Sequence, residues 1–76
     1  MINIALLGFG TVGSGVAEVL TDNEKIITAK LGEQVNVKYI LDLRDFPDSP
    51  FADKIVHDYG VIIADPEVSI VVEMIG

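Results

Sequence analysis

The fold of this chain is decided by the stretch Ile4-Ala5-Leu6-Leu7-Gly8-Phe9-Gly10-Thr11-Val12-Gly13-Ser14-Gly15-Val16. An apolar strand leads directly into a G-x-G-x-x-G turn, and a helical pattern follows the turn. This order of strand, glycine turn and helix is typical of proteins that bind the pyrophosphate of a dinucleotide. The stretch therefore predicts an α/β fold with a phosphate-binding turn close to the N-terminus.

Each glycine of the motif has its own mechanical task. Gly8 lets the chain turn sharply off the strand, Gly10 lets the backbone approach the phosphates, and Gly13 lets the helix pack close to the sheet. The N–H groups of Thr11, Val12 and Gly13 lie in the first turn of the helix, where they have no partner inside the helix. We expect them to face an anion together with the positive end of the helix dipole.

Composition limits the function classes. The chain has 76 residues, a net charge of −7 and no cysteine. Its length allows one small domain and the absence of cysteine excludes disulfides. With the glycine turn, we expect one partial dinucleotide-binding domain over residues 1–76. The five basic residues are scattered, whereas a nucleic-acid surface needs clustered positive charge. No apolar stretch reaches the roughly 18 residues of a membrane span. We expect a cytoplasmic protein that binds neither nucleic acid nor membrane.

The remaining elements follow from the apolar periodicity. Residues 2–7 and 35–41 predict strands, and residues 69–75 predict a third main strand. A helical stripe runs from Val12 to Leu31 and predicts one long helix, kinked near residues 21–24 and ended by Gly32. Pro50 marks the start of a second helix that carries His57 and ends at Gly60, and residues 61–63 read as a short extended piece.

This order of elements predicts the fold class and a mode of assembly. Strand, helix, strand, helix and strand make a Rossmann-type half (β-α-β-α-β) with a parallel sheet, truncated before the fourth strand. The first strand normally has a fourth strand beside it. We therefore expect the open edge of residues 2–7 to seek a partner, which predicts a homo-oligomer.

Two side chains after the second strand bear on the choice of cofactor. An acidic residue there accepts hydrogen bonds from the adenosine ribose, whereas a nearby arginine accommodates the additional phosphate of NADP. Asp42 favours NAD and Arg44 favours NADP, so the coenzyme preference stays open. The alternative is that Asp42 is only a loop cap and Arg44 only a solvated charge. Phe9 completes the predicted cofactor-binding residues, either lining the nicotinamide side of the turn or packing in the core.

The residues then show a family resemblance. The strand and glycine turn from Ile4 to Val16, together with the closing run from Asp65 to Gly76, resemble the N-terminal cofactor domain of homoserine dehydrogenase. The resemblance implies a Rossmann domain that binds NAD(P). It also implies reduction of aspartate semialdehyde to homoserine by hydride transfer from NAD(P)H, in threonine and methionine biosynthesis.

The resemblance also assigns residues. It implies that Gly8, Gly10, Thr11, Val12 and Gly13 contact the cofactor phosphates. Gly76 resembles the start of the family's glycine pair near the cofactor, and Arg44-Asp45 its Arg-Asp pair, although an ungapped register places Leu43 at that arginine. The family's catalytic lysine and acidic residues have no counterpart in these 76 residues. We therefore expect this chain alone to bind cofactor without catalysis.

Two other function classes stay open. A nucleotide-sensing Rossmann module would use the same glycine turn without chemistry, and a structural fragment would have lost its ligand. His57 is the only histidine, and we interpret it as a solvated helix residue with no role in a triad or metal site.

Overall fold

A computed structural model of the protein describes residues 1–74, and of Thr11 and Val12 it describes the backbone alone. Gly76, which the sequence assigns to the cofactor site, lies outside the described residues. A 3₁₀ turn, Ala52–Lys54, lies between the second and third strands. The strands are β1 Ile2–Leu7, β2 Val35–Leu41, β3 Ile55–Val56 and β4 Val68–Glu73, and the helices are α1 Gly10–Asp22, α2 Glu24–Leu31 and α3 Tyr59–Ile63.

The four strands form one parallel sheet in the order β3-β2-β1-β4. The predicted α/β class with a parallel sheet is therefore confirmed. The order 3-2-1-4 is that of the first four strands of a dinucleotide-binding sheet, in which the strand order reverses between β1 and β4. Such a reversal opens a crevice at the carboxyl ends of the two strands, which is where ligands bind in α/β proteins.

The predicted open edge of β1 is wrong. β1 pairs with β2 on one side and with β4 on the other, from Asn3 opposite Val68 to Leu7 opposite Glu73. The final strand is the fourth in chain order, because residues 55–56 add a short strand that the sequence did not predict. The edge of residues 2–7 is therefore closed within this chain, and it offers no surface for a homo-oligomer.

The prediction for residues 50–63 is also wrong in its element types. Instead of one helix ending at Gly60, the chain makes a 3₁₀ turn, places Ile55 and Val56 beside the end of β2, and then begins α3. Asp58 caps α3, since its side chain accepts a hydrogen bond from the N–H of Gly60 at 2.8 Å. A residue predicted to end a helix therefore lies in the first turn of one.

The predicted long helix is interrupted at Asn23, which separates α1 from α2. The Asn23 side chain donates to the carbonyl of Val19 at 2.8 Å instead of capping α2. Gly32 ends α2 with φ 71°, as predicted. Val19 and Leu31 were expected in the buried stripe but are 59% and 58% exposed, so only part of that stripe packs on the sheet.

The core lies between the helices and β1 and β2. Leu6 and Ile40 are its largest fully buried side chains, and Phe9 and Phe51 close it at the carboxyl end of the sheet. Burial of such side chains contributes about 1.5–3 kcal/mol each. Within residues 1–74, no helix is long and apolar enough to cross a membrane.

Candidate functional site

The glycine turn, residues 8–13, lies where β1 ends between β2 and β4. The N–H of Gly8 donates to the carbonyl of Leu41 at 2.7 Å, which ties the turn to the end of β2. On the other side, the N–H of Met74 donates to the carbonyl of Leu7 at 2.9 Å. The turn is thus held by backbone bonds at the crevice between β1 and β4.

The backbone of the glycine turn requires glycine at two positions. Gly8 has φ 100° and Gly10 has φ 42°, both in the left-handed region that side chains disfavour. A Cβ on Gly10 would lie 3.6 Å from Nη2 of Arg44, on the side of the crevice. A Cβ on Gly13 would collide with the carbonyl oxygen of Gly8. The geometry therefore matches the three tasks expected of the motif.

The N-terminus of α1 is suited to an anion. Phe9 is the N-cap residue, so no side chain caps the helix, and the first turn contains no acidic residue. The first N–H groups of a helix have no acceptors inside it, and the helix dipole adds a partial positive charge at the same place. These features fit the pyrophosphate of a dinucleotide.

Phe9 contributes to the site through its backbone. Its side chain is 6% exposed, and its ring packs edge-on against Phe46 at 4.8 Å and Phe51 at 6.1 Å between centroids. Its N–H donates to Oδ2 of Asp42 at 3.0 Å. The ring thus belongs to the core, which is the second of the two roles that the sequence left open.

Asp42 follows β2 and connects the turn to the next loop. Its Oδ2 accepts from the N–H of Phe9, and its Oδ1 accepts from the N–H of Arg44 at 3.0 Å. The Arg44 side chain donates to both oxygens, from Nε and Nη2, each at 3.2 Å. These donors, with the arginine side chain first, hold the pKa of Asp42 well below its usual range. Asp42 is therefore ionised and fully engaged at neutral pH.

Arg44 spans the distance between Asp42 and the glycine turn. Its guanidinium lies 5.1 Å from the centre of the Phe46 ring, while its side chain is 66% exposed. A partly exposed guanidinium can exchange a carboxylate for a phosphate, because both present oxygens to the same planar fork. Asp42 and Arg44 thus lie together at the site, as predicted, and they bind each other there.

His57 is a site residue that the sequence interpretation missed. It lies in the bend between β3 and α3 rather than in a helix. Nδ1 contacts the carbonyl oxygen of Asp42 at 2.7 Å and Nε2 contacts Oδ1 of Asp45 at 2.8 Å. The Asp42 carbonyl, and then the Asp45 carboxylate, raise the pKa of His57. We call Asp42, Arg44, Asp45 and His57 the charged wall.

A single open cavity of about 800 Å³ joins the turn and the charged wall. It is wide enough for a ligand of cofactor size. Its lining includes Gly8, Gly10, Asp42, Arg44, His57 and Met74. A second cavity of about 650 Å³ lies beside the end of α1, but carboxylates of Glu18, Asp22 and Glu24 line it. That lining disfavours an anionic cofactor, so we assign the candidate site to the first cavity.

The described residues contain no cluster of metal-ligating side chains. Among residues 1–74, no group of three or more His, Asp or Glu side chains is arranged to hold a metal ion. The four side chains of the charged wall instead lie in two pairs, Asp42 with Arg44 and Asp45 with His57.

Comparison with known proteins agrees with the geometry. The chain is 38% identical over 77 residues to homoserine dehydrogenase of Helicobacter pylori and 37% identical over 82 residues to that of Bacillus subtilis, and each match covers 99% of this chain. The crystal structure of S. aureus homoserine dehydrogenase at pH 7.5 superposes with a TM-score of 0.86 at 35% identity, over 99% of this chain. No family model matches.

The chain covers 18% of each of those two relatives and 19% of the S. aureus chain. In sequence and fold it matches the N-terminal part of homoserine dehydrogenases, which are oxidoreductases. The resemblance seen in the glycine turn and the closing strand is therefore confirmed over nearly the whole chain.

Proposed function

We propose, from the correspondence of this chain to the N-terminal part of homoserine dehydrogenases, that it forms the NAD(P)-binding part of such an enzyme. The reaction is the transfer of a hydride from NAD(P)H to aspartate semialdehyde, which yields homoserine for threonine and methionine biosynthesis in the cytoplasm. The observation that carries the proposal is the glycine turn between β1 and β4, at the crevice where α/β sheets bind ligands.

The phosphates are held by backbone groups. No side chain projects from Gly8 or Gly10 into the crevice, and the N–H groups of Thr11, Val12 and Gly13 supply donors at the start of α1. Gly76 is proposed to continue the site beyond the described residues. The cofactor, when bound, supplies the hydride, whereas the chain binds and orients its phosphates.

We assign the adenosine end of the coenzyme to the charged wall. Asp42 is the proposed acceptor for the ribose hydroxyls and Arg44 the proposed partner of a 2′-phosphate. Each Asp42 oxygen already accepts two hydrogen bonds, one of them from the Arg44 side chain. A ribose hydroxyl therefore competes with Arg44 for Asp42, and a 2′-phosphate draws Arg44 away from it.

Catalysis is proposed to need residues that these 76 do not supply. The charged wall is paired internally and lies beside the phosphate turn, which suits cofactor recognition. We therefore expect the chain alone to bind NADH or NADPH without reducing a substrate.

Calorimetric titration of the chain with NADH and NADPH tests the proposal. We expect at least one coenzyme to bind, and Gly10→Val to abolish that binding, because the added side chain projects into the crevice from a residue with positive φ. Gly15→Val is the matched control, since a Cβ on Gly15 meets no atom within 4 Å. Binding retained in Gly10→Val, or absent from the unmodified chain, contradicts the proposal.

A further inference from the structure

His57 lies between two groups that only accept hydrogen bonds. Its Nδ1 is 2.7 Å from the carbonyl oxygen of Asp42, and its Nε2 is 2.8 Å from a carboxylate oxygen of Asp45. A neutral imidazole carries one N–H and satisfies one of these contacts, whereas the imidazolium satisfies both. The geometry therefore selects the protonated ring, and His57 adds a second positive charge to the charged wall.

The charges around His57 come from two sides. The loop after β2 presents Asp42, Arg44 and Asp45, while Asp58 and Tyr59 follow His57 at the start of α3. The glycine turn has no titratable side chain. Met74, directly after β4, lines the cavity, and Glu73 is the last residue of β4. Among the described lining residues of the cavity, Arg44 and His57 are the cationic ones.

The two cations are held loosely enough to change partners. Arg44 is 66% exposed and His57 50% exposed, and Asp45 is 81% exposed. A phosphate monoester carries between one and two negative charges near neutral pH. When Arg44 leaves Asp42 for such a phosphate, the Asp42 carboxylate remains beside the added negative charge, and a nearby imidazolium offsets that charge.

We propose that His57 determines coenzyme specificity: when protonated it favours the 2′-phosphorylated dinucleotide, and when neutral it shifts preference towards the dinucleotide without that phosphate. This rests on the proposed function of the cleft as a dinucleotide site. His57 acts through the charge of the wall on the adenosine end, whereas the phosphate contacts of the glycine turn do not depend on it. The affinity ratio of NADPH to NADH therefore depends on pH.

Calorimetry with NADPH and NADH on the full chain, at about pH 6 and about pH 8.5, brackets the titration of histidine. We expect the preference for NADPH, taken relative to that of His57→Gln at the same pH, to fall about tenfold from the lower to the higher pH, which corresponds to ~1.4 kcal/mol. His57→Lys keeps its charge, so its preference for NADPH relative to that of His57→Gln should stay high at both pH values. His57→Gln is neutral at both pH values and serves as the reference, and the preference of the unmodified chain should approach that of His57→Gln at the higher pH.

The 2′-phosphate has its own ionisation near pH 6, which strengthens NADPH binding as the pH rises. That contribution has the opposite sign and is present in all three proteins, so comparison with His57→Gln removes it. A dependence on pH that is identical in His57→Gln and the unmodified chain overturns the inference and leaves the proposed function intact. Failure of both coenzymes to bind at either pH overturns the proposed function, and this inference with it.

An NMR titration gives a second test that needs no variant. His57 is the only histidine, so its ring signals are unambiguous. Because linkage is reciprocal, a tenfold effect of the proton on NADPH binding means that NADPH raises the pKa of His57 by about one unit. We expect saturating NADPH to raise this pKa and NADH to leave it nearly unchanged. Equal effects of the two coenzymes contradict the inference.

Discussion

The glycine turn and the charged wall meet at the same cleft, but they are built in opposite ways. The turn presents backbone N–H groups around Gly8, Gly10 and Gly13, and its shape depends on the absence of side chains. The wall presents ionisable side chains, paired as Asp42 with Arg44 and Asp45 with His57. The shape of the turn therefore depends on steric exclusion, whereas the wall depends on ion pairs that can exchange partners.

This difference separates affinity from selectivity. Backbone donors and a helix dipole keep their charge across the pH range, and in the proposed function they contact the pyrophosphate that all nicotinamide dinucleotides share. In the proposed function the charged wall faces the part of the ligand that differs between NAD and NADP. Changes in the turn should therefore affect both coenzymes alike, whereas changes in the wall should affect their ratio.

The largest effect is expected from Gly13→Ala. The added Cβ collides with the carbonyl oxygen of Gly8, so α1 must move away from β1 and the turn must change shape. We expect the free energy of unfolding to fall by about 1–3 kcal/mol, with binding of NADH and NADPH lost together. Urea denaturation followed by circular dichroism, and calorimetry, measure the two effects.

Gly15→Ala provides the control for that substitution. It lies in the same helix, and its Cβ meets no atom within 4 Å. Alanine is favoured over glycine inside a helix, so this variant should be more stable by roughly 0.5–1 kcal/mol and bind normally. Equal behaviour of the two variants would mean that close packing at Gly13 does not shape the turn.

Arg44→Met is expected to change coenzyme selectivity without unfolding the chain. It removes the guanidinium from both oxygens of Asp42 and leaves the backbone N–H donors of Phe9 and Arg44 in place. NADPH should bind about tenfold more weakly, because a charge-assisted contact contributes roughly 1.5–3 kcal/mol. NADH should bind as well or better, since its ribose no longer competes with Arg44. Parallel calorimetric titrations measure both.

Lys25→Met removes the same charge from the exposed surface of α2 and serves as the control. It should leave the ratio of the two affinities unchanged. If Lys25→Met weakens NADPH as much as Arg44→Met does, the effect comes from the net charge of −7 and not from the charged wall, and the distinction between the two sides of the cleft fails.

The sequence predicted the glycine turn well because its signals are local. The glycines and the start of α1 lie within a few residues of one another, and the positive φ angles of Gly8 and Gly10 follow from the motif. Asp42 and Arg44 were also found at the site, since both directly follow β2. Local signals located the turn, Asp42 and Arg44, and the family resemblance added Asp45, so His57 was the one residue of the charged wall that the sequence did not place there.

The segment from residue 50 to 63 was predicted wrongly because distant pairing decides it. Ile55 and Val56 fit a helical stripe in the sequence, but in the fold they pair with Ile40 and Leu41. That pairing moves His57 out of a helix and brings it to the carbonyl of Asp42, fifteen residues earlier. The one available signal was an aspartate, Asp58, that caps a helix beginning after His57.

A third group of charged side chains, around Asp65 near the start of β4, shows what ion pairs do away from the cleft. Asp65, just before β4, accepts from Nζ of Lys38 at 2.6 Å and from the Tyr39 hydroxyl at 2.7 Å. It also accepts from the N–H of Glu67 at 2.8 Å. These donors, with Lys38 first, lower the pKa of Asp65 to about 2. The cluster joins β2 to the start of β4. None of these bonds involves a residue of the glycine turn or of the charged wall.

The smallest effect on binding is accordingly expected from Asp65→Asn. A carboxyl group whose pKa is lowered by folding stabilises the fold fully at pH values above its unfolded pKa of ~3.9. This stabilisation is lost as the pH falls through the folded pKa. Thermal unfolding between about pH 5 and pH 2 should therefore show a smaller loss of stability in Asp65→Asn than in the unmodified chain. NADH and NADPH affinities at neutral pH should stay within about twofold, because Asp65 precedes the amino end of β4, whereas ligands bind at the carboxyl ends of the strands. A changed NADPH to NADH ratio in this variant would show that charge anywhere on the sheet controls selectivity, and that the charged wall has no special part in it.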